Sequence, residues 1–166
     1  GNSFDSAGVF GDLQPAPPPN DNFANRITIP APGTVTGTSS NATRETGEPD
    51  HDGFAFGETV WWRYTPSVSG AISIDTVGSG FNTVLAVYTG SPVNMLTEVG
   101  SNDNIGGGNL QSRIAFRATA GVSYAIAVTG FGTGAITLNV RNLSPPANDL
   151  FANAIAIAVP GTVTGT

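Results

Sequence analysis

From Glu58 onward the chain is written in short apolar or alternating runs of strand length, each closed by turn chemistry. The runs are Thr59 to Thr65, Ala71 to Thr76, Thr83 to Tyr88, Leu96 to Gly100, Ser112 to Ala118, Ser123 to Thr129 and Ala135 to Val140. Between them lie Pro66 to Gly70, Gly78 to Gly80, Thr89 to Pro92, Asn102 to Asn109, Ala120-Gly121 and Gly130 to Gly134, rich in Gly, Pro, Ser and Asn. Upstream, Ile27 to Ile29 and Thr34 to Thr38 are two further β-like pieces around a Pro-Ala-Pro-Gly turn. Many short strands at this spacing predict an all-β fold, a jelly-roll-like antiparallel β-sandwich with extended N- and C-terminal segments.

The segment Asn20 to Thr38, NDNFANRITIPAPGTVTGT, recurs without a gap at Asn148 to Thr166 as NDLFANAIAIAVPGTVTGT, an offset of 128 residues. Asn20, Asp21, Phe23, Ala24, Asn25, Ile27, Ile29 and Pro32 to Thr38 are unchanged in the second copy. A period of domain length marks a tandem-repeat protein. The expected division is a Pro-rich lead-in over 1–19, one complete repeat over 20–143, a Pro linker over 144–147, and the opening of a second repeat over 148–166. The clusters PAPPP before Asn20 and SPPA before Asn148 read as stiff polyproline II spacers. No apolar run nears the length of a membrane span, and the start at Gly1 shows no signal-peptide pattern, so a mature or excised piece of a longer protein is expected.

Composition narrows the function classes. Only 11% of residues are charged and the net charge is −6, which disfavours nucleic acid and makes a metal cation the more natural charged partner. The chain has no cysteine, and all six cations are arginine. Disulfides, Cys-ligated zinc, thiol catalysis, Schiff bases and lysine isopeptides are thereby excluded.

Asn41 to Gly57 breaks the strand periodicity and concentrates Glu45, Glu48, Asp50, His51 and Asp52 in one loop. Calcium takes six to eight oxygens from such irregular segments, so Glu45, Glu48, Asp50 and Asp52 are candidate calcium ligands, with Asp75, Asn82 or Asp103 approaching from neighbouring loops. The alternative is a solvated loop whose acids cap turns. His51, the single histidine, pairs in principle with Asp50 or Asp52 as a base, yet no G-x-S-x-G elbow accompanies it, and a turn histidine bonded to the loop is expected. Catalytic residues are therefore none. Trp61 and Trp62 point to opposite faces of a strand. One belongs to the core, while the other is a surface platform for sugar or peptide, or lies under the acidic loop. The triplets Asn41-Ala42-Thr43 and Asn142-Leu143-Ser144 match the N-glycosylation pattern, which arises easily in a chain of this composition.

Taken in order, GEPDHDG (Gly47 to Gly53), VWWRYT (Val60 to Thr65), IDTVGSGFNTVLAVYTG (Ile74 to Gly90), SNDN (Ser101 to Asn104), SRIAF and GVSYAIAV resemble the bacterial pre-peptidase C-terminal domain family over about Asn20 to Leu143. The resemblance implies a non-catalytic jelly-roll sandwich found beside secreted proteases and in tandem on cell-surface proteins, hence an extracellular or bacterial cell-surface location. It also implies a calcium site by position at Glu45, Glu48, Asp50 and Asp52. The chain departs from the family pattern at Asn82 and Asn104, where many members carry acids.

The opening of the second repeat carries Phe151, Ile155, Ile157, Val159 and Val163 without a core of its own. A lone strand in water does not offset its ordering entropy, so these residues are expected to dock on a neighbouring copy, by strand addition or in a groove. A head-to-tail contact that does not close builds a filament. The chain is thus expected to be the structural unit of an extracellular fibre or surface stalk whose partners are copies of itself. The alternative is a module binding an extracellular polymer for a larger secreted protein.

Overall fold

The computed structural model describes residues 15–144. Nine strands form in the order β1 (Ile27–Ile29), β2 (Gly33–Thr38), β3 (Val60–Tyr64), β4 (Gly70–Asp75), β5 (Asn82–Thr89), β6 (Thr97–Asn102), β7 (Arg113–Ala118), β8 (Tyr124–Phe131) and β9 (Ala135–Asn142). Two single 3-10 turns, Phe23–Asn25 and Val93–Met95, are the only helical elements among the described residues. Every strand read from the sequence is present, with bounds that differ by a residue or two.

One sheet has the order β1-β3-β8-β5-β6 and the other β2-β9-β4-β7. They pack as a sandwich whose interior is filled by Trp62, Ile72, Ile74, Leu85, Val87, Ile126, Val128, Ile136 and Leu138, all at most 1% exposed. Pairing is antiparallel throughout except at one flank, where β1 runs parallel to β3 and aligns Ile27 with Trp62 and Ile29 with Tyr64. The antiparallel β-sandwich expected from the sequence is thus present, with this one parallel pair at its flank. After β1 the chain turns through Pro30 to Pro32 into the opposite sheet, so the next strand that β1 meets in its own sheet is approached by a crossover rather than a hairpin.

Two glycines are fixed by close approach. A Cβ on Gly37 would stand 2.8 Å from the Trp62 ring, so this β2 glycine makes room for an indole reaching across from the other sheet. A Cβ on Gly130 would collide with the Asn82 carbonyl oxygen, where the end of β8 pairs with the start of β5.

The five-stranded sheet is buried on its outer face as well. Trp61, Ala86, Tyr88, Ala125 and Ala127 form a second apolar layer there, closed by Phe23 and Val93. Residues 41–57, which the sequence leaves irregular, lie over that layer with His51 against the Trp61 and Tyr88 rings. Both tryptophans are therefore fully covered, Trp62 in the interior and Trp61 beneath the acidic loop.

Candidate functional site

The repeated segment and the acidic loop form one structure. In its first copy the segment is a strap along one flank of the sandwich: β1 edges one sheet on β3, and β2 edges the other on β9, over six aligned pairs from Gly33/Val140 to Thr38/Ala135. Its Asn-Asp opening pins it in place. Asn20 exchanges two hydrogen bonds with the Trp61 backbone, its Nδ2 donating to the carbonyl at 3.0 Å and its own carbonyl accepting the Trp61 N–H at 2.9 Å. Asp21 accepts from the Thr43 N–H and hydroxyl, tying the strap to the loop. Phe23 packs edge-on against Trp61 at 5.2 Å between centroids, and the Arg26 guanidinium stacks over Phe23 at 3.4 Å.

The four candidate calcium ligands are each taken by a different partner. Glu45 accepts the Phe23 N–H at 2.8 Å, capping the strap. Glu48, 5% exposed, places Oε1 2.9 Å from His51 Nε2 and accepts the Glu45 N–H at Oε2. Asp50 pairs with Arg44 at 2.7 Å on the surface, and Arg44 also donates to the Glu48 and Phe56 carbonyls. Asp52, in the left-handed region at φ 52°, accepts from the Ser101 hydroxyl at 3.0 Å. Among the described residues, no group of three or more histidine, aspartate or glutamate side chains converges on a point where a metal could sit. The donor set read from the sequence does not fit a shared calcium as placed, because loop closure consumes each carboxylate separately. Chelation with EDTA is accordingly expected to leave the melting temperature unchanged within about 1 °C; a fall of several degrees would assign a stabilising cation.

Of the three residues expected to approach from other loops, Asp75 is fully buried, held by Arg141, Asn139 and the Val77 N–H, with Arg113 at 3.8 Å. Asn82 Oδ1 and Asp103 Oδ1 are buried without a hydrogen-bond partner. Burial, and then the charge of Asp52, push the Asp103 carboxyl above the usual carboxylate range.

His51 is fully buried, with Nδ1 2.7 Å from the Tyr88 hydroxyl and Nε2 on Glu48. Both ring nitrogens are spent and neither faces solvent, so the histidine fastens the loop to β5 and offers no open base. The sequence carries no signal for Tyr88 as its partner, since the two are distant along the chain. Burial, reinforced by Glu98, Glu48 and Asp50, pushes the Tyr88 hydroxyl well above the ordinary phenol range. The folded protein thus keeps this proton after the unfolded chain has lost its own near pH 10, and stability falls as pH rises through that value. Tyr88→Phe removes the hydroxyl. It is expected to cost ~1–2 kcal/mol at neutral pH and to flatten the loss of stability between about pH 10 and 12, as measured by urea denaturation. An unchanged alkaline slope would remove Tyr88 as its source.

The assembly residues Phe151, Ile155, Ile157, Val159 and Val163 lie outside the described residues. Their counterparts in the first copy are Phe23, Ile27, Ile29, Ala31 and Val35, and of these Phe23 and Ile29 are buried.

No protein-family model matches the chain, and no curated protein matches it. Several solved structures are similar to it. The pre-peptidase C-terminal domain of a collagenase from Bacillus anthracis is 16% identical, with 70% of this chain and 94% of that one covered, at a TM-score of 0.47. The periplasmic inhibitor of g-type lysozyme PliG from Aeromonas hydrophila is 13% identical, with 70% and 96% covered and a TM-score of 0.42. The Yersinia pseudotuberculosis-derived mitogen is 15% identical, with 70% and 90% covered and a TM-score of 0.41. These likenesses are to β-domains of unrelated roles, and at such scores none carries an argument about function.

Proposed function

We propose that the chain is a non-catalytic structural repeat of an extracellular bacterial fibre or surface stalk, with units joined head to tail through the repeated strap segment. The observation that carries this reading is where the exposed apolar surface lies. Val68, Met95 and Leu143 stand at the end where the chain leaves, in or beside the β3–β4 connection, the β5–β6 connection and the segment after β9. Val77, Leu110 and Phe131 stand at the far end, in or beside the β4–β5, β6–β7 and β8–β9 connections, and Phe54 meets Phe131 there. Among the described residues the remaining large exposed apolar side chains, Ile27 and Val99, are on edge strands. Apolar ends fit a unit stacked end to end, whereas a polymer-binding face wants an aromatic row across a sheet. The motif resemblance to the pre-peptidase C-terminal family supports the same reading, since that domain occurs in tandem on secreted and cell-surface proteins.

The test is negative-stain electron microscopy of the chain with and without residues 148–166. Filaments with a domain-sized axial repeat that vanish on deletion are expected; filaments of normal length that survive it would end the strand-linkage idea.

A second reading, a module targeting an extracellular polymer, draws on the trio Phe54, Phe56 and Phe131, whose rings meet at 5.0 to 5.3 Å. Retention on collagen or chitin that is lost in Phe131→Ala would favour it over the fibre.

A further inference from the structure

The two copies of the strap differ at five positions, and burial sorts them. Positions buried in the first copy, Asn20, Asp21, Phe23 and Ile29, are all kept in the second. The five that change, Asn22, Arg26, Thr28, Pro30 and Ala31, are exposed or half-exposed, and their replacements are Leu150, Ala154, Ala156, Ala158 and Val159. Every change on the open side of the strap thus yields an aliphatic side chain, while the side facing the sandwich is untouched. Neutral drift on a solvated face does not move in one direction; an aliphatic face is what a covered surface needs. Leu150 and Ala154 stand for Asn22 and Arg26, which bracket the Phe23–Asn25 turn.

The described part of the chain ends in a groove of about 590 Å³ at the exit end. Pro32, Tyr64, Val68, Gly70, Arg117 and Leu143 line it, and Ser144 leaves directly from its wall. Val68 is 76% exposed and Leu143 43%, an apolar surface with nothing on it among the described residues. From Ser144 to Leu150 is six residues, a reach of at most about 20 Å. The adjacent Pro145 and Pro146 favour by sequence the polyproline II conformation that aromatic-lined grooves accept.

We propose that this groove is a socket for residues 145–150 of the same chain, with Pro145 and Pro146 lying along Tyr64 and Leu150 closing over Val68 and Leu143. The proposal rests on the tandem reading above and deepens it. The joint between successive units becomes a packed contact that fixes their relative orientation.

Backbone order parameters from ¹⁵N relaxation on the 166-residue chain test this. Ala147, Asn148, Asp149 and Leu150 are expected to read near 0.8 in the parent chain and to fall below about 0.6, the flexible range, in both Val68→Asp and Leu150→Asn. Amides of β3 and β8 serve as the control and should not move. Linker values already in the flexible range in the parent chain would overturn the socket. So would order that survives both substitutions, or order that appears only as concentration rises, which would place a second copy in the groove. The microscopy reports separately: filaments with a flexible linker keep the fibre and discard the socket, and an ordered linker in particles that never assemble does the reverse.

Discussion

Trp62→Ala is expected to remove ~3–5 kcal/mol of stability, enough to leave a domain of this size largely unfolded at 37 °C, given a typical total of about 5–15 kcal/mol. The indole crosses the interior from β3 to reach Gly37 on β2, and it is fully buried. Truncation opens a cavity that the flanking strands cannot collapse into, because their own backbones are tied into two different sheets. The indole Nε1 has no hydrogen-bond partner, so its polar atom contributes nothing that phenylalanine would lose. Trp62→Phe is accordingly expected to cost about 1–2 kcal/mol, by the smaller volume change alone. Thermal melts of the pair check this: near-equal melting temperatures would show that the interior repacks, and that Gly37 is not held to this ring.

Removing residues 1–38 is expected to have the larger consequence. The deletion strips β1 from β3 and β2 from β9, leaving two unpaired edges on one flank and uncovering Trp61 where Phe23 lay. The segment 148–166 carries every buried residue of the lost strap. Its own chain cannot deliver it. From Ser144 to Asn148 is four residues, at most ~14 Å, and doubling back from Ser144 to the level of Val140 already uses ~13 Å, before any crossing to Trp61 in the other sheet. The strap must therefore come from another copy, and the deleted chain is expected to run as head-to-tail oligomers by light scattering. Deleting 148–166 as well should leave a chain that does not fold. A folded monomer from the first deletion would show that the strap is dispensable and would remove the physical basis for strand linkage.

The strands were legible because their code is local. The apolar run from Val60 to Trp62, or that from Val84 to Val87, reads the same in the chain as in the sheet. The parallel course of β1 was not legible, since Ile27 to Ile29 carries no mark of which strand it will meet or in which direction. The acidic loop shows the boundary most sharply. Glu45, Glu48, Asp50 and Asp52 share a short stretch of sequence, and proximity along the chain suggested a common ligand. Their orientations depend on Phe23, His51, Arg44 and Ser101, partners assembled from two further places in the chain and from the loop itself. A carboxylate's direction in an irregular segment is decided by those tertiary donors, which no spacing rule encodes. The role of Asn20 and Asp21 was visible only as recurrence; the bonds to Trp61 and Thr43 supply the reason that both copies begin with the same pair.

The pairing of β2 with β9 also sets a timetable. A ribosome emits the amino end first, and the partner that completes this flank emerges roughly a hundred residues later, which at ~5–20 residues per second is a delay of about 5–20 s. Through that interval the opening strand has no lateral neighbour in its sheet, and the unit closes only when its final strand arrives.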